Sequence, residues 1–370
     1  MEYTVRKFDL LSELTLIQGV VERKTTIPIL ANVLLRAQTE GLEILGTDLD
    51  VGIRSLCPIN LTTAGTSTVP AKRLYEIVRA LPDRDIKFKK GDGNWVTVTC
   101  GTSRFRIAGL PQEDFPAIPA PPDTFVRIPA PVLAKLIGRT AFAISTEDSK
   151  YTLSGSLLVL KPGSLTMVAT DGHRLAHIEK SHPMEDVSEE MRILVPRKAM
   201  IELTKVLADE GAGEELRFSA DENHLFFQAG KRSLVSRKLA GQFPNYEAVL
   251  PRNNDRTFTI QREEIMAAVR RVALLSDERS RTVKLSLGKG LLEVAASHTD
   301  LGEAHETMEV AYTKEEMQVG FNYQYLLDFL GAVDEAQISF EFKDSESAAQ
   351  LRTIESGEYN YRYVVMPMRI

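Results

Sequence analysis

The chain has 370 residues, 43% hydrophobic and 26% charged, with a formal net charge of −6. That length exceeds one ordinary domain of roughly 100–200 residues, and no run of about 18 apolar residues is present, so several domains and no membrane partner are expected. The acidic balance excludes a protein that grips nucleic acid over its whole surface, but not one with a single basic face.

The first segment, "MEYTVRKFDLLSELTL", mixes acids and bases and has no cleavable apolar core, so no signal peptide is expected. Cys57 and Cys100 are read as reduced thiols of a cytoplasmic protein. A helix is predicted over 10–21. "GTDLDVGI" follows, and then a helix over 69–81, "VPAKRLYEIVRAL", entered through Val-Pro, where the missing proline N–H does no harm. "KGDGNW" (90–95) reads as a hairpin turn between strand-like runs. "FPAIPAPPDTF" (115–125) reads as a linker. Further helices are predicted over 131–144, 195–207, 262–275 and 321–333. Between them lie "VATDGHRLAHIEK" (168–180), a second linker "FPNYEAVLPRNNDRTF" (243–258) and "HTDLGEA"; the chain closes on "YVVMPMRI" (363–370).

These elements repeat. "VPAKRLYEIVRAL" and "VPRKAMIELTKVL" (195–207) share Val69/Val195, Pro70/Pro196, Lys72/Lys198, Glu76/Glu202 and Leu81/Leu207. "FNYQYLLDFLGAV" (321–333) keeps the apolar spacing: Leu74, Ile77 and Leu81 correspond to Met200, Leu203 and Leu207, and to Leu326, Phe329 and Val333. That spacing is one face of a helix. Thr-Asp recurs at 47–48, 170–171 and 299–300, and Phe-Pro at 115–116 and 243–244, each about 125 residues apart. The pattern predicts an α+β protein of three similar domains, 1–122, 123–252 and 253–370, each with two helices and antiparallel sheets. The helical windows are net basic within an acidic chain, which suits one face for a polyanion.

"TDGHRLA" has three readings: an active site, a turn, or a surface read by another protein. As a hydrolase site, Asp171 and His173 lack a companion nucleophile, phosphate loop or metal set. The six histidines show no metal-ligand spacing, and no metal or cofactor is expected. A three-domain scaffold that binds protein without DNA is the other alternative.

The repeats, together with "PIL" (28–30), "GTDL" (46–49), "TDGHRLA" (170–176), "VPRK" (195–198), "FPNYEAVLP" (243–251), "GFN" (320–322) and "YVVMPMRI", resemble the bacterial β sliding clamp, the processivity subunit of the replicative DNA polymerase. The resemblance covers the whole chain. It implies the DNA clamp fold in a head-to-tail homodimeric ring around double-stranded DNA, with twelve helices lining the hole. Binding would be sequence-independent, through loose phosphate contacts that permit sliding.

The resemblance also implies site residues. Lys24, Lys72, Arg73, Lys150, Tyr151, Arg197 and Lys198 would face DNA. Phe105 and Ile107 would meet Leu274 and Leu275 across the dimer interface, with Arg73 reaching Glu303 or Glu306. Leu153, Thr170, Gly172, His173, Arg174, Leu175, Pro244, Val249, Val364, Met366, Pro367, Met368 and Arg369 would form a pocket for a short peptide. His173 and Arg174 would fix peptide polar groups at its rim. That peptide would come from the replicative polymerase, the clamp loader, other polymerases or mismatch-repair proteins. Thr152 stands where the family often has tyrosine, and Ile370 where a terminal leucine is common.

Overall fold

The computed structural model describes residues 1–21, 26–147, 149–208, 213–354 and 358–369. Among them lie six α-helices: α1 (Lys7–Ile17), α2 (Ala71–Ala80), α3 (Ala130–Thr140), α4 (Arg197–Leu207), α5 (Arg262–Val272) and α6 (Tyr323–Ala332). Each matches a predicted helix with shifted ends. α1 starts earlier because the polar first turn carries Asp9, whose charge suits a helix N-terminus, and it buries Leu10, Leu14 and Ile17. α3 and α5 close in 3₁₀ turns, Ala141–Ala143 and Ala273–Leu275.

The repeated helix entrance has a physical basis. Pro70 and Pro196 each end a strand and stand immediately before the first residue of the helix that follows. In the third repeat Asn322 holds that position, and its side chain accepts the Gln324 N–H at 2.9 Å. The buried faces differ slightly from the expected ones. Ile77 and Leu207 are only half-buried, and Val78 and Val206 fill the core one position away.

The strands form four antiparallel sheets. The first runs, in spatial order, Asn60–Thr63, Glu2–Arg6, Asp85–Lys90, Trp95–Cys100 and Ser103–Ala108. The second runs Val126–Pro129, Glu215–Ala220, His224–Ala229, Arg232–Arg237, Val51–Cys57, Gly41–Thr47, Asn32–Gln38 and Gly65–Pro70. The third runs Met191–Pro196, Gly155–Lys161, Ser164–Thr170, Arg174–Ser181, Tyr359–Val365, Ala349–Thr353, Gln337–Phe342 and Arg256–Gln261. The fourth runs Gly302–Glu309, Leu291–His298, Thr282–Gly288 and Met317–Asn322.

Packing divides the chain into two units, 1–134 with 198–238, and 135–197 with 239–370. The first and second sheets belong to the first unit, the third and fourth to the second. The middle sequence repeat therefore contributes strands to both units. Each unit has a stacked cross-strand aromatic pair at corresponding places: Tyr3 on Phe88 and Phe258 on Phe340, both with ring centroids 5.0 Å apart. Cys57 and Cys100 are free and buried, and burial pushes the Cys57 thiol up to about 12. No helix among the described residues is long and apolar enough to cross a membrane.

Candidate functional site

The "TDGHR" segment is a hairpin turn between the strands Ser164–Thr170 and Arg174–Ser181. The Thr170 hydroxyl donates to the Arg174 carbonyl at 2.6 Å and accepts the Gly172 N–H at 3.1 Å. Asp171 Oδ1 accepts the N–H groups of His173 and Arg174 at 2.9 and 3.0 Å. Gly172 has φ +94°, a conformation that favours glycine. The first repeat builds the same turn: Thr47 and Asp48 bond equivalently, and Leu49 takes φ +79°. In the third repeat the marker falls on a different turn. Thr299 is exposed, the Asp300 N–H donates to the His298 ring, and the positive φ moves to Gly302.

Asp171 is fully used by this turn, because Oδ2 accepts Arg174 Nε at 3.0 Å. It is not spent on orienting the His173 ring, as a general-base pair would require. Arg174, expected at the rim of a pocket, points inward and is 9% exposed. Its Nη1 meets Asp328 at 2.6 Å, its Nη2 donates to the Phe142 carbonyl at 2.7 Å, and its plane lies 4.4 Å from the Tyr325 ring centroid. Burial opposes the charge, yet Tyr363, Asp328 and Asp171 hold the guanidinium pKa above its ordinary value. Arg174 therefore ties the turn to α6 and to the 3₁₀ turn after α3. Asp328, Tyr325 and Phe142 were not singled out from the sequence, since nothing local pairs them with Arg174.

Beside the turn, Leu175 and Val364 are cross-strand partners in an apolar cluster with Leu157, Val159, Val168, Leu194 and Tyr246. Leu239, with Phe243 and Leu250 from the second linker, packs against it. The linker residues Pro244 and Val249 are exposed, as are His173 and Met366, whose backbone N–H donates to the His173 carbonyl at 2.9 Å. Exposed apolar side chains over a buried apolar floor suit an inserted peptide side chain. The tail then leaves this cluster. Met368 N–H donates to the Gly320 carbonyl at 2.8 Å, and Arg369 lines a cavity of about 350 Å³ with Thr282, Lys284, Glu303 and His305. Pro367 between them is half-buried. Leu153 is half-buried in a 3₁₀ turn, and the Thr152 methyl packs against Gly241. Ile370 lies outside the described residues.

His177, on the strand that carries Leu175, is buried with its ring 5.6 Å from that of Tyr246. Burial first, and the nearby Arg362 second, lower its pKa to about 4.

In the first unit, Lys72 and Arg73 project from α2, with side chains 71% and 74% exposed, and both reach Glu76. Lys198 pairs with Asp48 of the first Thr-Asp turn. In the second unit, Lys150 binds Glu147 and the Asp171 carbonyl, both at 3.0 Å, and Tyr151 is exposed. Arg197 is exposed at the start of α4. Lys24 lies outside the described residues.

Phe105 and Ile107 lie on Ser103–Ala108, the edge strand of the first sheet. Phe105 is exposed and Ile107 is buried. Arg104 and Arg106, not anticipated from the sequence, make this edge basic; Arg106 stacks over Trp95 at 4.4 Å. In the second unit, Gly302–Glu309 is the edge strand of the fourth sheet and carries Glu303, Glu306 and Glu309. Leu274 is 79% exposed, and Leu275 is half-buried. Arg73 and Glu306 already have partners within the chain, Glu76 and Arg271, the latter at 2.6 Å.

Three copies of a paired-helix and antiparallel-sheet design, joined by linkers and ending on a strand that returns beside the second copy, define a three-domain clamp. Family models of the DNA polymerase III beta subunit match in order: the N-terminal domain at 1–119, the central domain at 127–245 and the C-terminal domain at 247–369. The beta sliding clamp of Pseudomonas aeruginosa is 36% identical and that of Caulobacter vibrioides 37%, each over the full length of both chains. A crystal structure of the P. aeruginosa sliding clamp bound to griselimycin superposes with TM-score 0.93 at 36% identity, and one from Bartonella birtlesii with TM-score 0.93 at 34%, both covering the whole of each chain. The chain belongs to the bacterial DNA polymerase III beta subunit family, the β sliding clamps.

Proposed function

We propose that two copies of this chain close head to tail into a ring that encircles duplex DNA and tethers the replicative polymerase for processive synthesis. The observation that carries this reading is the match of all three domains, end to end, to sliding clamps. Closure is supported by two unpaired sheet edges of opposite charge, Arg104 and Arg106 on one and Glu303, Glu306 and Glu309 on the other, with Phe105, Ile107, Leu274 and Leu275 as the apolar component. Such edges invite strand pairing. Lys72, Arg73, Lys150, Tyr151, Arg197 and Lys198 would touch phosphates, along with Lys24.

In the same reading, the exposed residues around Leu175 and Val364 receive a short peptide of the polymerase, the clamp loader, other polymerases or mismatch-repair proteins. Its domains are 1–122, 123–252 and 253–370. The protein acts in the cytoplasm and catalyses nothing: Asp171 serves the turn, and His173 acts through contact with the peptide. The test is single-encounter primer extension by the cognate polymerase with its loader. Adding the chain should lengthen products from tens to thousands of nucleotides. Unchanged product length with a loaded, folded protein would contradict the proposal.

A further inference from the structure

The apolar cluster ends abruptly along its own strands. Leu175 pairs with Val364, and two residues further on, at the same face of the third sheet, His177 pairs with Arg362. On the next strand Gln350 pairs with Val364, and Arg352 follows two residues later on that face. Gln350 in turn pairs with Glu341. Within about 7 Å, the rise of two strand residues, the face changes from aliphatic to basic. The second linker borders both parts. Leu250 packs against the apolar cluster, and the Pro251 carbonyl accepts Arg362 Nη2 at 2.8 Å.

The basic part is a groove of about 400 Å³ lined by Pro251, Arg252, Glu341, Gln350, Arg352 and Arg362. Three guanidinium groups meet one carboxylate there. Arg362 is half-buried, and its Nε donates to Gln350 Oε1 at 2.6 Å. Arg352 Nη2 donates to Asn360 Oδ1 at 3.3 Å. These acceptors, like the Pro251 carbonyl, are neutral. Among the described residues, none of the three arginines meets a carboxylate at ion-pair distance. Glu341 is engaged by Gln350, whose Nε2 donates to it at 2.5 Å. The Arg362 pKa is lowered by burial first and by the Arg352 charge second, with Glu341 opposing both. The adjoining groove does not remove the excess. Its Glu358 pairs with Lys180, and its Glu179 still leaves three guanidinium groups against two carboxylates. Two neighbouring cations drawn partly out of water onto neutral acceptors are costly, and an arriving carboxylate offsets that cost.

We propose that this groove receives an acidic side chain of the same peptide whose aliphatic side chain enters beside Leu175 and Val364. A glutamate or aspartate about two or three residues from the aliphatic anchor reaches Arg352 and Arg362, whose guanidinium groups bind it through charge-assisted hydrogen bonds. The occupant is a peptide and not a nucleic acid, because the groove continues an apolar floor that offers nothing to a phosphate backbone. The inference rests on the docking site proposed above and adds the charge of the segment that docks.

The test is NMR of the full-length protein, reading the Leu175 and Val364 methyls and the Nε–H signals of Arg352 and Arg362. The probes are N-acetyl-Glu-Glu-Ser-Leu-Phe-amide and N-acetyl-Leu-Phe-Ser-Glu-Glu-amide, which present the acids on either side of the anchor, and the same two peptides with glutamine for glutamate. One of the acidic peptides should shift all four signals and bind about tenfold tighter than its glutamine form. The gain should shrink in about 0.5 M salt. Arg352→Gln, whose one hydrogen bond is to the exposed Asn360, spares the core and should cut the gain to about threefold or less. Arg352→Glu should make the glutamine form the tighter binder. Equal affinity of the acidic and glutamine forms with the Leu175 and Val364 shifts intact, a gain that survives Arg352→Glu, or the same Arg352 and Arg362 shifts with a short DNA duplex would each overturn the proposal. Failure of the docking site itself would read differently: no peptide would shift Leu175 or Val364, and the proposal would fall with it.

Discussion

Arg174→Ala separates two roles for the most heavily engaged side chain of the site. The substitution removes ion pairs to Asp171 and Asp328 and the donor to the Phe142 carbonyl. Breaking a buried pair by deleting one partner typically costs about 3–5 kcal/mol, because the other charge is stranded. Asp171 and Asp328 remain 13% and 24% exposed, so water recovers part of that loss and about 3 kcal/mol is expected. For a unit of this size that corresponds to a melting shift of about 6–12 °C. The assay is thermal unfolding of Arg174→Ala and Arg174→Lys beside the wild type, paired with peptide titration at a temperature where all three are folded. Lysine keeps the charge but cannot reach three acceptors in a planar fork, so it should fall between. Peptide affinity should drop modestly, through loosening of the turn. Unchanged melting with abolished peptide binding would refute this reasoning and return Arg174 to the rim of the pocket.

Other outcomes follow from the same geometry. His177 has its pKa lowered from an unfolded value of 6.5 to about 4, so the unfolded chain binds the extra proton between these values. Its contribution to stability is complete above pH 6.5 and declines as pH falls toward 4. Denaturant midpoints should show a loss of about 2 kcal/mol at pH 5 that His177→Phe abolishes. Leu274→Ala with Leu275→Ala should leave the fold intact, because Leu274 is largely exposed, while sedimentation shifts dimer toward monomer; a dimer persisting at nanomolar concentration would exclude this interface. Arg104→Glu with Arg106→Glu should weaken the dimer, and adding Glu303→Lys and Glu309→Lys should restore it, read by the same sedimentation. Arg197→Ala should lower the salt slope of DNA binding by about one, measured by titration at several salt concentrations. Arg73→Ala and Lys198→Ala should lower it less, since Glu76 and Asp48 already pair with those cations.

The sequence carried the repeat because the helices must bury a stripe and the strands must turn at fixed intervals. Residues 69–81 and 195–207 keep their strand-to-helix entrance through proline, and 321–333 keeps it through Asn322 with almost no identity. The Thr-Asp marker was informative because both side chains close the turn, and it failed in the third repeat, where Thr299 does no such work. Less was legible for long-range partners. The family resemblance puts Arg174 at the rim of the pocket, whereas its acceptors come from Phe142 and Asp328, far away in sequence. The division into two packing units was also hidden, because strands of the middle repeat pair with strands more than a hundred residues distant, Arg232–Arg237 with Val51–Cys57 and Arg174–Ser181 with Tyr359–Val365. The charged strand edges could have been found: "SRFRIA" alternates Arg104 and Arg106 with Phe105 and Ile107, and "GEAHETME" carries Glu303, Glu306 and Glu309.

The central claim is topological linkage to DNA, and retention on closed circles measures it most directly. The protein should be loaded onto nicked circular duplex and separated by gel filtration at a salt concentration that abolishes ordinary phosphate contacts. A sliding ring stays with the circle for many minutes and is lost within seconds once one cut linearises the DNA, because it runs off the ends. Equal retention on circular and linear DNA, or no retention on either after loading, would contradict the account.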